Sequence, residues 1–277
     1  MRWKRGRRRS GDVIDRRGQP GLRGGGLPAL GAGGGLAGVI VVLLFVFLGG
    51  GDLGGALDGL EANAPPAQPG DAPPGDERLV DLMSFVLDDA QNFWEDSFRQ
   101  SGKEYRRAKL VIFDRSTRSA CGGAFEQTGP HYCPPDQQIY LDLDFFRELK
   151  NRFGAPGDFA QAYVLAHEVG HHVQHLLGIL DEVHEDGSNE MSVKAELQAD
   201  CFAGVWAFTT YQRDLLESGD LEEGLDAAAA VGDDTLQEQA GQRVNPESWT
   251  HGSSEQRMEW FRRGFDNGDP NRCNTFG

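Results

Sequence analysis

Residues 158–177 read DFAQAYVLAHEVGHHVQHLL. Their apolar side chains recur every three or four positions, which predicts a helix that buries one face. Asp158 is the expected N-cap of this helix. The buried face is predicted to consist of Phe159, Ala162, Ala166, Val169, Val173 and either Leu176 or Leu177.

The same helix carries the sequence His167-Glu168-Val169-Gly170-His171. Because His167 and His171 are four residues apart, their side chains share one helix face and can each offer a nitrogen to one Zn²⁺ at about 2.0–2.1 Å. Glu168 follows the first histidine, where its carboxylate can reach a water held by the metal. Gly170 keeps the helix surface small beside the metal. The pattern therefore predicts a hydrolytic zinc site.

A competing interpretation is that the region is simply rich in histidine. His172, His175 and His184 lie nearby, and His175 is also four residues beyond His171. Only the pair His167 and His171 has a glutamate immediately inside it. We therefore expect structural or surface roles for His172, His175 and His184.

A third metal ligand is predicted in the next helix, Glu190–Tyr211, where Glu196 and Asp200 are four residues apart. Glu196 would complete a site of two histidines and one glutamate, which leaves a fourth position for water. Asp200 would accept a hydrogen bond from His167 and fix its tautomer. The alternative is an ordinary solvated acidic face, but the neighbouring residues are largely apolar.

The four cysteines are Cys121, Cys133, Cys201 and Cys273. Two disulfides are expected for an even number in an oxidising compartment. Cys121 and Cys133 bracket a short loop, which would leave Cys201 to pair with Cys273, although three pairings are possible. A zinc site made of all four cysteines is the alternative, but the spacing does not favour it.

The N-terminus combines a basic arm with an apolar segment. The first 24 residues carry nine Lys/Arg and two Asp/Glu, whereas the remainder carries 18 basic and 41 acidic residues, a charge of −23. Residues 27–48 contain no charge and as a helix would be about 33 Å long, enough to cross a bilayer. We therefore predict a single transmembrane helix, with residues 1–26 as a cytoplasmic tail and the rest extracytoplasmic.

Two alternatives for this N-terminal region are disfavoured. A cleaved signal peptide would need a small-residue site just after the apolar run, but the nearest candidate, residues 62–64, lies far downstream and precedes Pro65. A nucleic-acid-binding arm is the other possibility, but the acidic body would repel nucleic acid. Membrane association without nucleic-acid binding is the expectation.

The chain divides into a tail, a span, a linker and one folded domain. Residues 49–76 are rich in Gly, Pro and Ala and predict a flexible linker before a domain at 77–277. Two short β-prone runs, 109–113 and 138–143, are expected to pair in a small sheet. The overall fold class is α+β, dominated by helices. Helices are predicted from the spacing of Leu79, Leu82, Val86, Ala90 and Phe93, and at Asp144–Asn151, Asp158–Leu177, Glu190–Tyr211 and Ser253–Arg263.

The combination of His167–His171 with Glu196–Asp200 resembles the gluzincin arrangement, in which an HExxH helix is followed by an ExxxD helix. The flanking sequence resembles the bacterial family called putative neutral zinc metallopeptidases. The matching stretches are Cys133–Asp136, Ile139–Asp142, Ala166–Gln174, Glu196–Cys201 and Thr250–Arg257. They are spread over most of residues 77–277 and are together far more specific than HExxH alone.

The resemblance implies a zincin-like fold, a Zn²⁺ cofactor and peptidase chemistry on a peptide or protein substrate. In similar gluzincins a downstream histidine stabilises the oxyanion, and His251 is the matching candidate; the alternative is an ordinary loop histidine. The expected mechanism is attack by a zinc-activated water with Glu168 as general base. The rival hypothesis is an inactive zinc-binding module of the cell envelope. Substrate specificity and oligomeric state do not follow from the sequence.

Overall fold

The computed structural model describes residues 1–4, 6, 8–19, 76–125, 129–151 and 154–277. They form helices with two small sheets, so the α+β, helix-dominated fold is confirmed. The predicted transmembrane helix at 27–48 and nearly all of the predicted linker lie outside the described residues. Among the helices that are described, none is both long and apolar enough to cross a membrane.

Helices predicted from periodicity are present within a few residues of their expected bounds, and three further helices (α4, α6 and α7) are found. The described helices are α1 (Asp76–Gln100), α2 (Asp144–Asn151), α3 (Asp158–Leu176), α4 (Ile179–Asp186), α5 (Asn189–Gln212), α6 (Asp220–Ala230), α7 (Asp233–Gln239) and α8 (Ser254–Asn267).

The larger sheet has four strands in the order β1-β2-β6-β5. The predicted partners β2 and β6 pair in parallel, from Lys109 opposite Gln138 to Phe113 opposite Asp142. β5 is antiparallel to β6 and packs near α3. The strands are β1 (Val13–Asp15), β2 (Lys109–Phe113), β3 (Ser116–Ser119), β4 (Gly122–Phe125), β5 (His131–Cys133) and β6 (Gln138–Asp142), with β3 and β4 forming a separate hairpin.

Helix α3 lies at the centre of the domain and packs against α1, α5 and α6. Its contact with α5 is close at Gly170, where an added Cβ would lie 3.0 Å from the carbonyl oxygen of Ala199. Helix α8 packs on the same helix α5 through Gly264, where a Cβ would lie 2.0 Å from the carbonyl oxygen of Cys201. Small residues therefore set the distances between the three helices that surround the site.

Residues 8–19 of the basic N-terminal arm contact the folded domain, whereas the sequence predicts a tail separate from it. Val13–Asp15 form strand β1, which pairs in parallel with β2. Asp12 accepts hydrogen bonds from Arg107 at 2.6 Å and Lys109 at 2.5 Å, and Arg9 bonds to Asp81 on α1 at 2.8 Å. Residues 8–19 are thus a structural part of the domain, because their carboxylates and arginines find partners on its surface.

The predicted N-cap is corrected by one residue. Gly157 is the N-cap of α3, with φ of 139°, and no side chain caps the helix. Asp158 instead lies in the first turn, where a carboxylate is favoured by the helix dipole. The positive φ explains the difference, because it requires glycine at the position just before the helix.

The cysteines form the two disulfides favoured by the sequence, Cys121–Cys133 and Cys201–Cys273. The first joins the turn between β3 and β4 to the end of β5, 12 residues further along the chain, and the second ties the C-terminal segment to α5. No free cysteine is found. A zinc site built from the four cysteines is therefore excluded.

Candidate metal centre

The structure brings His167, His171 and Glu196 together in the contact between α3 and α5. The two Nε2 atoms are 3.1 Å apart, and the Glu196 carboxylate lies 3.2 Å from Nε2 of His167 and 3.3 Å from Nε2 of His171. One ligand atom from each of the three residues lies within 4.8 Å of the others, and all three side chains are buried. This is the geometry of a single cation site with three protein ligands.

Both imidazoles are also held at their other ring nitrogen. His167 Nδ1 lies 2.8 Å from Asp200 Oδ1, the contact that the sequence predicts. His171 Nδ1 lies 2.9 Å from Oε1 of Gln174, whose Nε2 donates to the Ala195 carbonyl at 2.7 Å. That bond orients the side-chain amide of Gln174 so that its oxygen faces the His171 ring. Each histidine therefore donates from Nδ1 and presents Nε2 to the shared site.

This donor set fits zinc. Two imidazole nitrogens and a carboxylate are a set of ligands that catalytic zinc sites use. The hydrogen bonds to Nδ1 leave the lone pairs at Nε2 directed at one point, and they are of the kind that orients histidines at zinc sites. Without a cation, two Nε2 atoms 3.1 Å apart would be an unfavourable arrangement unless a proton lay between them.

The electrostatics of these side chains favour positive charge at the site. Burial lowers the pKa of His167, but the charge of Asp200 and hydrogen bonds to Asp200 and Glu196 outweigh burial and raise this pKa to about 10. Burial raises the pKa of Glu196, but His171 and His167 lower it well below the usual range. The carboxylates therefore favour positive charge at the point where the two imidazoles meet.

Glu168 lies on α3 beside these ligands and is 6 % exposed. Its Oε2 is buried and has no hydrogen-bond partner, although Glu196 and Asp200 are fully engaged. An unpaired carboxylate oxygen in a buried position is costly. It is the arrangement expected of a group that bonds to a water molecule or substrate at the site.

The strand β5 brings a histidine near this carboxylate. Burial lowers the pKa of His131, and the negative charge of Glu168 acts in the opposite direction, so the two side chains are within electrostatic reach. His131 stacks on Tyr140 and lies 3.2 Å through Nδ1 from the carbonyl of Gly129. The edge of the sheet therefore borders the metal centre.

His251 also lies near the metal centre. Its Nδ1 is 3.1 Å from Oδ1 of Asp233, and the other Asp233 oxygen accepts the backbone N–H of His251 at 2.7 Å. Burial lowers the pKa of His251, but Asp233 and the nearby charge of Glu196 raise it. His251 is thus a held side chain within electrostatic reach of the ligand Glu196, rather than an unconstrained loop histidine.

The remaining histidines of the region occupy other places. His172 is buried and lies 2.9 Å from the Tyr132 hydroxyl and 2.5 Å from the Arg106 carbonyl, and burial lowers its pKa to about 4. His175 packs on the ring of Tyr132, and His184 is exposed. The structure does not bring any of the three into the group of metal ligands.

Four residues of the site were not assigned from the sequence: Tyr163, Gln174, Asp233 and Arg257. Tyr163 is four residues before His167, so helical spacing alone could have placed it on the same face. Gln174 is likewise three residues after His171. No sequence pattern indicates a role for Asp233, because its partner His251 is 18 residues away and their contact depends on tertiary structure.

The chain is similar to known bacterial proteins and matches one family model. The chain is 46 % identical over 290 residues to the uncharacterized protein YpfJ of Escherichia coli K12, covering all of this chain and 99 % of that protein. It is 46 % identical over 185 residues to the uncharacterized protein Rv2575 of Mycobacterium tuberculosis H37Rv, covering 62 % of this chain and 63 % of the relative. No solved structure matches it significantly. The profile described as putative neutral zinc metallopeptidase matches residues 1–276, and the chain belongs to that family.

Proposed function

We propose that this protein is a zinc-dependent peptidase that hydrolyses peptide bonds in a peptide or protein substrate. The observation that carries the proposal is the convergence of His167, His171 and Glu196 beside a carboxylate oxygen of Glu168 that is buried without a partner. A purely structural zinc site is normally closed by four protein ligands. Here three ligands converge, next to a group able to accept a proton.

A zinc ion held by these three residues supplies Lewis-acid chemistry, since it lowers the pKa of water and polarises a carbonyl. Glu168 takes the proton from the attacking water and later delivers it to the leaving amine. His251, held by Asp233, donates a hydrogen bond to the oxyanion that develops on the substrate carbonyl. Asp200 and Gln174 keep the two histidines in the required tautomer.

The test is Glu168→Gln in the full-length chain, because the amide keeps the size of the side chain but cannot accept the proton. The variant is expected to retain zinc and to lose about 10²–10⁴-fold of its hydrolysis of a denatured-protein and peptide panel. Glu182→Gln, the same change at an exposed position on α4, is the matched control and should behave like the wild type.

The alternative function is a zinc-binding module of the cell envelope without catalysis. It predicts that wild-type protein binds zinc and cleaves nothing in the panel. Full hydrolysis by a Glu168→Gln preparation that is free of other peptidases would remove Glu168 from the mechanism.

We also propose that the domain works outside the cytoplasm and is attached to the membrane through residues 27–48. Two disulfides support an oxidising compartment. Because β1 pairs with β2, we propose that residues 8–19 lie on the same side of the membrane as the domain. Residues 27–48 would then enter the membrane without crossing it, in place of the single transmembrane helix and the cytoplasmic tail expected from the sequence. Labelling of single cysteines introduced at exposed positions of the arm and of α4, with and without permeabilisation, tests this; labelling on opposite sides would contradict it.

A further inference from the structure

Arg257 extends from the first turn of α8 towards the metal centre. Its backbone N–H donates to the carbonyl of Ser253 at 3.0 Å, and Ser253 forms a capping box with Gln256. The helix is seated on α5 by the close contact of Gly264 with the carbonyl of Cys201. The backbone from which the arginine extends is therefore fixed relative to the helix that carries Glu196 and Asp200.

The guanidinium of Arg257 binds both oxygens of Asp200. Nε donates to Oδ2 at 2.8 Å and Nη2 donates to Oδ1 at 3.0 Å, a bidentate pairing that fixes orientation as well as position. Nη1 donates to the carbonyl of Val231 at 3.3 Å, and Nη2 to the hydroxyl of Tyr163 at 3.3 Å. Arg257 is 3 % exposed and Asp200 is fully buried, so water does not compete for these bonds.

Asp200 transmits this constraint to the metal ligand. Its Oδ1 also accepts from the hydroxyl of Tyr163 at 2.5 Å and lies 2.8 Å from His167 Nδ1. If the carboxylate rotated, the acceptor for His167 would move and the imidazole would be free to turn. The bidentate arginine prevents that rotation.

Charge balance gives Arg257 a second effect on the centre. Glu168, Glu196 and Asp200 are three buried carboxylates, and Nη2 of Arg257 lies 3.8 Å from Oε2 of Glu196. One guanidinium and one divalent cation together neutralise three carboxylates. Removing the arginine would leave an uncompensated buried negative charge, which destabilises the fold. That charge alone would attract a cation, so a loss of zinc affinity in an Arg257 variant reports the orientation of the ligand and not the charge.

We propose that Arg257 is a positioning residue for the metal, acting through Asp200 to hold the imidazole of His167 in its ligating orientation. This inference rests on the proposed zinc site and adds a residue to which the sequence assigns no role. Nη2 of Arg257 also lies 3.4 Å from His167 Nδ1. Because loss of the positive charge alone would favour the cation, we expect the weakening of zinc binding in an Arg257 variant to pass through the carboxylate of Asp200.

The experiment measures zinc affinity by competition with a chromophoric chelator, together with thermal unfolding of the zinc-free protein. Arg257→Met should weaken zinc binding about tenfold, the lower end of the range for groups that orient metal ligands. Arg213→Met is the matched control, because Arg213 makes a bidentate pair with Asp89 at 2.6 and 2.7 Å but does not contact the metal centre. The control should keep wild-type zinc affinity even if it is less stable.

The coupling is tested with Asp200→Asn and the double variant. If the arginine acts through Asp200, adding Arg257→Met to Asp200→Asn should weaken zinc binding by much less than tenfold. Arg257→Lys, which keeps the charge but cannot bind both oxygens in the same geometry, should recover only part of the affinity.

Unchanged zinc affinity in a folded Arg257→Met protein overturns the proposal. The proposal is also overturned if the fold-losses of zinc affinity in the two single variants multiply in the double variant. Where Arg257→Met does not fold, Arg257→Lys and Tyr163→Phe decide by the same measurement, and wild-type affinity in both overturns it. A wild-type protein that binds no zinc overturns the proposed function itself, which is a distinguishable result.

Discussion

Each of the three histidines at the centre is held by a neighbouring side chain. Asp200 holds His167, Gln174 holds His171, and Asp233 holds His251. Such bonds reduce the reorganisation required when a cation or substrate arrives, which is the basis of electrostatic preorganisation.

At this residue scale, we predict that His251→Ala lowers turnover about 10²–10³-fold with zinc content unchanged, because a hydrogen bond to the developing oxyanion is lost. Steady-state cleavage of a peptide substrate with parallel metal analysis measures the effect. The exposed His184→Ala is the control. Unchanged turnover in zinc-loaded His251→Ala would remove this residue from the mechanism.

Sequence and structure agree best where a role depends on local spacing. The four-residue intervals between His167 and His171, and between Glu196 and Asp200, place side chains on one helix face before any tertiary structure is known. The contacts of Asp233 and Arg257 with the site depend on how α7 and α8 pack, and no local rule predicts that. The N-terminal strand was missed for the same reason, since its partner β2 is about a hundred residues away.

At the scale of elements, the distance between α3 and α5 determines whether the three ligands meet. Gly170 lies in the contact between these helices, where a Cβ would be 3.0 Å from the carbonyl oxygen and 3.1 Å from Cα of Ala199. Backbone atoms of a helix cannot move aside alone. An added methyl group must therefore push one helix away from the other.

We predict that Gly170→Ala destabilises the protein by about 1–3 kcal/mol through overpacking and weakens zinc binding, because Glu196 moves away from His167 and His171. Chemical denaturation and chelator competition measure the two effects. Gly11→Ala, where the new methyl group meets no atom within 4 Å, is the control. If Gly170→Ala binds zinc as tightly as the wild type, helix spacing does not control the site.

For the whole molecule, the N-terminal arm is joined to the domain by β1 and by ion pairs around Asp12. Burial raises the pKa of Asp12, but the hydrogen bonds and charges of Lys109 and Arg107 outweigh burial and lower this pKa below its usual value of 3.8. A carboxylate with a depressed folded-state pKa contributes stability above its unfolded pKa. That contribution is lost as the pH falls through the folded-state pKa.

We therefore predict that Asp12→Asn lowers the free energy of unfolding by about 1–2 kcal/mol at pH 7, since hydrogen bonds to a charged group are lost. The difference from the wild type should shrink as the pH falls below 3.8. Urea unfolding across this range measures it. Asp96→Asn, in an exposed pair with Arg99, should change stability by less than about 0.5 kcal/mol. An Asp12→Asn protein as stable as the wild type at pH 7 would show that these ion pairs do not stabilise the fold.

We propose that His167, His171 and Glu196 hold a zinc ion on which peptide hydrolysis depends. The most direct measurement removes the metal from the full-length wild-type protein with a chelator, then titrates zinc back while following peptide cleavage and bound zinc together. Cleavage should disappear with the metal and return in proportion to bound zinc, reaching a plateau at about one equivalent per chain. Cleavage that persists in the zinc-free protein would contradict the proposal.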